Sequence, residues 1–216
     1  MYVHSILARL FAVVCLLAAG SIYAEEASKP EEPAWRSLFD GKTLTGWKVT
    51  SFGGQGEVTV EDDCIVMDMG SSLTGVTYKG ELPTTNYEVS LEAKRLDGND
   101  FFCGLTFPVD KSHCSFIVGG WAGTVVGLSS IDGMDASSNE TSRFMSFKND
   151  RWYRIRVQVR PARIQAWIDD EQVVNLDIQG RKISTRIEVD LSKPLGIAAW
   201  ETRAALRNIR IRELAK

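Results

Sequence analysis

Histidine is nearly absent from this chain: there are two among 216 residues, His4 and His113. A catalytic zinc site draws on several His or Cys ligands, so such scarcity argues against a zinc catalyst. Cysteine is sparse too, with four residues: Cys15, Cys64, Cys103 and Cys114. Basic charge is also short, 25 Lys+Arg facing 28 Asp+Glu for a net −3. A nucleic-acid or anionic-membrane partner favours the opposite balance, so neither is expected. No long stretch shows helical periodicity, and no segment repeats. The sequence carries no GxSxG elbow, Walker A loop or dinucleotide fingerprint. Gly53, Gly54 and Gly56 form a flexible loop, lacking the spacing and the following helix of a phosphate cradle. No cofactor and no metal is expected.

Long apolar runs are missing as well. The run over residues 10–19 falls short of the about 20 residues that cross a bilayer. Preceded by Arg9 and followed by a small-residue cleavage site after Ala24, it reads as a secretory signal peptide over residues 1–24. The expected destination is secreted or periplasmic, with no membrane span after cleavage. Without Arg9, the only charge before Glu25, the 25 basic residues become 24 against 28 acidic, a net charge near −4. Residues 25–36, polar and proline-containing, read as a flexible linker. The domain is expected over residues 37–214. Its three cysteines permit one bridge; Cys103 and Cys114 flank a hairpin, and spacing alone leaves their pairing open.

What is present is period two. Tyr153, Ile155, Val157 and Val159 alternate with Arg154, Arg156, Gln158 and Arg160, the pattern of a strand with one buried face. Ile164, Ala166 and Ile168 repeat it after Pro161, and Val173, Val174 and Leu176 follow a turn at residues 169–171. Hairpins with one apolar face need a second sheet to cover them. Residues 57–69 read as a hairpin turning at Asp62-Asp63. Tyr87, Val89, Leu91 and Ala93 alternate with Glu88, Ser90, Glu92 and Lys94. Residues 101–107 are nearly all apolar, as in a central strand covered on both faces, with Pro108 ending it. Residues 131–146 read as a long polar loop, residues 180–191 as loop and strand, and residues 195–200 and 207–214 as closing strands. The expected fold is all-β, an antiparallel β-sandwich; a closed barrel fits the same pattern.

Three segments carry a family resemblance: FDGKTLTGW at 39–47, WYRIRVQV with IQAWIDDEQV at 152–173, and LGIAAWE with RNIRIREL at 195–214. In order and placement they resemble the 3-keto-disaccharide hydrolase family. The resemblance implies a concanavalin A-like jelly roll, related to laminin-G and lectin domains. It also implies a carbohydrate substrate already oxidised to a ketone at sugar C3. The ketone acidifies the C2 proton; a base removes it, the C1 substituent leaves and water adds back. Such a site needs a base, a donor for the enolate oxygen and an acid for the leaving group. Two departures stand out. Pro108 falls where the family pattern carries an Arg, and residues 115–118, Ser-Phe-Ile-Val, replace a strand bearing a carboxylate. A non-catalytic glycan-binding module, or a laminin-G-like interaction module, is therefore the alternative.

The candidates for proton transfer are Glu92, Asp100 and His113. Glu88 and Glu92 share a strand face roughly 13 Å apart, too far for a glycosidase pair, and read as a solvated outer face. His113 sits in a turn, where its ordinary titration near neutrality suits a base. Substrate-binding candidates are Trp121, Trp200, Glu201 and Arg203, because sugar rings stack on exposed indoles. Trp167 falls in the polar register of its strand. Asp132, Asp135, Asn139 and Glu140 offer oxygen ligands without an EF-hand spacing and read as ordinary loop. The arginines of residues 154–163 and 207–212 read as a solvated, ion-paired face.

Overall fold

The computed structural model describes residues 33–215; the proposed signal peptide and most of the linker lie outside the described residues. The strands in chain order are β1 (Arg36–Ser37), β2 (Trp47–Val49), β3 (Val58–Glu61), β4 (Cys64–Met67) and β5 (Leu73–Tyr78). Then come β6 (Tyr87–Gly98), β7 (Cys103–Val109), β8 (Ser112–Gly119), β9 (Val125–Ser129) and β10 (Arg143–Phe144). The series ends with β11 (Tyr153–Arg160), β12 (Arg163–Ile168), β13 (Glu171–Asp177), β14 (Leu195–Trp200) and β15 (Thr202–Glu213). They build two antiparallel sheets: an eight-stranded one ordered β13-β12-β11-β6-β15-β4-β3, with β1 also on β15, and a seven-stranded one ordered β10-β9-β8-β7-β14-β5-β2. This is a concanavalin A-like sandwich.

Period two explains the core. Tyr87, Val89, Leu91 and Ala93 of β6 are all fully buried, and so are Ile155, Val157 and Val159 of β11 beside them. The facing sheet contributes Leu105, Phe107, Phe116, Val118 and Leu128. Each such side chain contributes about 1.5–3 kcal/mol by leaving water. Two polar groups trapped between the layers are satisfied: the Tyr87 hydroxyl donates to the Pro108 carbonyl at 2.6 Å, and Trp47 Nε1 donates to the Leu38 carbonyl at 2.7 Å. Phe102, Phe147 and Tyr153 close one end with edge-to-face contacts.

Several expectations are corrected. Pro108 does not end its strand: β7 continues to Val109 and pairs with β8 through Pro108 and His113. The β14 pairing covers only Gly104, Leu105 and Thr106, so the missing proline N–H costs no bond on that side. His113 accordingly lies in a strand, not a turn. Residues 187–192 form a 3₁₀ turn rather than a strand; Val189 and Ser192, three residues apart, both point inward, which is the period of that helix. Cys103 and Cys114 are free, buried thiols, opposite Val118 and Phe107 respectively, and do not face each other. The linker ends sooner than expected, since Arg36 pairs with Ile211. No helix among the described residues is long and apolar enough to cross a membrane.

Candidate functional site

The outer face of the seven-stranded sheet is paved with small residues. Gly104 and Thr106 on β7, Ser115 on β8, Gly127 and Ser129 on β9, and Gly196 and Ala198 on β14 all face away from the core. They are buried even so, because other segments lie over them. At Gly196 a Cβ would stand 2.5 Å from the Ser192 carbonyl oxygen, so only glycine lets the 3₁₀ turn rest on the sheet. At Gly104 a Cβ would meet the Phe101 ring at 2.9 Å. Phe101 and the turn stop short of covering the whole face. What remains is a cleft of about 210 Å³.

Aromatic and apolar walls enclose it: Phe101, Trp121 and Trp200, with Leu73, Ile117 and Val189. Trp200 ends β14, and its backbone N–H donates to the Phe101 carbonyl at 3.0 Å. Trp121 stands on the turn between β8 and β9, at φ 48°, ψ 68°, and Ala122 follows at φ 63°, ψ 34°. Left-handed backbone at a bulky side chain costs about 1–3 kcal/mol, and such strain concentrates at ligand sites. Asp100 holds the turn in place. Its Oδ2 accepts the Ala122 N–H at 3.1 Å, while Oδ1 accepts the Phe101 N–H at 2.7 Å.

The polar floor and rim are Ser115, Ser129, Asp100, Arg186 and Glu188. Ser115 exchanges a hydrogen bond with Thr106 at 2.8 Å. The Ser129 hydroxyl is buried with no hydrogen-bond partner among the described residues. Arg186 is held from two sides, by Asp135 at 3.0 Å and Glu188 at 2.7 Å. The Arg186 hydrogen bond keeps the Glu188 carboxyl below its ordinary range. Burial pushes the Asp135 carboxyl up, but hydrogen bonds from Ser137 and Ser138 and the Arg186 charge outweigh it, leaving the group lowered.

Of the candidates read from the sequence, Asp100, Trp121 and Trp200 meet in this cleft. The others do not. Glu92 is on the outer face of the opposite sheet, where Arg207 Nε donates to it at 2.7 Å, so it cannot share a substrate with Asp100. His113 is on the same sheet face as Ser115 but half-buried beyond the cleft, near Asp190 and Lys193; burial first, then the lysine charge, lowers its pKa. Glu201 is exposed at the β14–β15 turn, and Arg203 pairs with Asp68 at 2.6 Å; neither lines the cleft. The oxygen-rich loop is occupied by arginines: Asp132 and Glu140 both pair with Arg181. The Asn139 amide donates to the Leu128 carbonyl. No His, Cys, Asp and Glu group suited to a metal occurs among the described residues. Sequence reading missed Phe101, Ser115, Ser129, Arg186, Glu188 and Val189. The available signal was the run of small outward residues in β7–β9, which marks a sheet face that something else must cover.

Fold and cleft together define a carbohydrate-active jelly-roll protein. Residues 34–212 match the family of the 3-keto-alpha-glucoside-1,2-lyase-like domain, and the chain belongs to that family. No curated protein matches the sequence. Among solved structures, one similar fold is a Parabacteroides distasonis protein provisionally described as a glycosyl hydrolase, 14% identical, TM-score 0.52, covering 84% of this chain and 94% of that one. Another is carbohydrate binding module CBM66 of Bacillus subtilis, 15% identical, TM-score 0.53, covering 78% and 96%. A third is the Crh5 transglycosylase, 12% identical, TM-score 0.55, covering 85% and 84%.

Proposed function

We propose that this protein is exported, to the periplasm or beyond, and that it binds and cleaves 3-keto glycosides in the cleft between Trp121 and Trp200. One observation carries the reading. Asp100, with no cation paired to it among the described residues, shares a cleft with the unspent Ser129 hydroxyl and two indoles. The indoles take the apolar face of a sugar ring. The ketone makes the C2 proton acidic enough for a carboxylate to remove it, and Asp100 is the base. Ser129 donates to the oxygen that becomes the enolate. The C1–O bond then breaks, and Asp100 returns its proton to the departing oxygen. Water adds across the resulting double bond, and the net result is hydrolysis. Glu188, ionised beside Arg186, accepts from sugar hydroxyls rather than donating a proton.

The test is incubation with a 3-keto glucoside, following release of the C1 substituent by NMR. Asp100→Asn is expected to lower kcat by about 10²–10⁴-fold, the usual loss for a positioned base. Unchanged cleavage in that variant would remove Asp100 from the role. A second reading, a non-catalytic module that only binds the keto sugar, has its own support. Both oxygens of Asp100 are already committed to backbone N–H groups, and Glu188 is committed to Arg186. Calorimetric binding of the keto sugar without turnover would establish it.

A further inference from the structure

On the outer face of the eight-stranded sheet, β11, β6 and β15 lie side by side, and their outward residues form rows across the strands. One row reads Arg154, Glu92, Arg207 and another Gln158, Glu88, Arg212, each with a carboxylate at its centre. The row between them reads Arg156, Ser90, Arg210. A serine stands where the pattern places an anion.

The ion pairs follow that layout. Arg207 is bound to Glu92, and Arg212 to Glu88. Arg156 leaves its own row to reach Glu88 at 2.8 Å. Arg154 turns to Asp170 at the rim. Arg210 alone among these five arginines has no carboxylate partner among the described residues. Its guanidinium instead lies 4.5 Å from the centre of the Trp35 ring, which fixes its position. A bulge shifts the register of β15 on β6 between Arg207 and Arg210, and bulges bend the strand that carries them. A notch of about 410 Å³ at this place is lined by residues that include Trp35, Ser90, Glu92, Arg154, Asn208 and Arg210. That volume is within the about 300–1,000 Å³ of small-ligand sites.

We propose that this notch binds the carboxylate of an acidic sugar, a uronic-acid unit, which supplies the anion missing from the middle row. Arg210 takes the carboxylate, since a guanidinium matches its two oxygens. Arg154 lines the notch with its charge already paired to Asp170, which leaves the carboxylate to Arg210. The Asn208 amide and Glu92 Oε1, which has no hydrogen-bond partner among the described residues, serve the sugar hydroxyls; Glu92 also discriminates against a ligand with charge spread over the whole molecule, such as a sulfate ion. The site is on the sheet opposite the Trp121–Trp200 cleft and does not depend on the function proposed for that cleft.

Titration calorimetry of the folded chain with methyl glucuronide, methyl glucoside and sulfate tests it. Binding is expected for the glucuronide, and at least about tenfold weaker binding for the other two. Arg210→Gln is expected to lose at least about tenfold in glucuronide affinity. Ser90→Glu, which supplies the anion from the chain itself, is expected to abolish binding while raising Tm. The Tm and far-UV circular dichroism of Arg210→Gln should match those of the parent chain, reporting that the fold is intact. Equal affinity for glucuronide and glucoside, no glucuronide binding at all, or undiminished binding in Arg210→Gln would each overturn the proposal. Equal or tighter binding of sulfate would reassign the notch to oxyanions in general.

Discussion

Asp100 grips Ala122 across 22 residues of chain: its Oδ2 accepts the Ala122 N–H at 3.1 Å and thereby sets the indole of Trp121 at the mouth of the cleft. The second oxygen is bound to the Phe101 N–H. Replacing Asp100 with Ala removes both acceptors from a strained turn. The expected cost is about 1–3 kcal/mol of stability, with loss of sugar binding. Asp100→Asn keeps one acceptor and should retain the fold. Trp fluorescence on titration with ligand checks both: an Ala variant that still shifts the Trp121 emission would mean the turn stands without this carboxylate.

Glu88 is fully buried yet ionic. Arg156 Nη1 donates to its Oε1 at 2.8 Å, and Arg212 Nε and Nη2 donate to Oε2 at 2.8 and 2.6 Å. Glu88→Ala would take a buried carboxylate away from two guanidiniums that are only partly exposed. A loss of about 3 kcal/mol is expected, read as a lower urea midpoint. A change under about 1 kcal/mol would show that the arginines swing to water at little cost.

The pH dependence of stability has two windows. The His113 pKa is lowered from 6.5 in the folded state, by burial and by Lys193, with Asp190 opposing. Below 6.5 the unfolded chain therefore binds more protons than the folded one, so stability is full above that value and falls as pH drops through the folded pKa. His113→Asn should flatten this slope. Glu188 and Glu140, lowered from 4.5 by their arginines, and Asp132, lowered from 3.8 by the Lys182 N–H and then Arg181, give a second loss under more acid conditions. Amide exchange measured against pH should show residues 131–142 and 181–190 loosening first. A flat stability curve across both windows would contradict these shifts.

The thiols of Cys64, Cys103 and Cys114 are buried, and burial raises each, with Cys114 pushed up to about 12. In the native protein Cys103 and Cys114 should not react with Ellman's reagent at pH 8, and both should react in guanidinium. A Cys103–Cys114 disulfide in a peptide map would refute the free-thiol arrangement.

Alternation made most of the sandwich legible. Tyr153 through Val159 and Tyr87 through Ala93 specify strands and core faces directly, since each has only one apolar side to bury. The end of β7 was not legible, because Pro108 breaks a strand only where its N–H is needed, and the neighbour supplying that need is far along the chain. Glu88 likewise reads as solvated from its own strand, and is buried by arginines from β11 and β15. Among the residues that line the cleft, Asp100, Trp121 and Trp200 stand out in the sequence by residue type. Phe101 and Glu188 were missed because a phenylalanine before a strand and a glutamate in a loop carry no local mark.

Residue order by itself determined the two-layer β architecture, the family and the free choice of small residues on one sheet face, because period two and turn chemistry act between near neighbours. Which side chains share a cleft, and which arginine has no carboxylate partner among the described residues, was decided only when distant strands came into register. Register sets side chains from β6, β11 and β15 about 5 Å apart though the chain separates them by many residues, and that spacing is what makes a site.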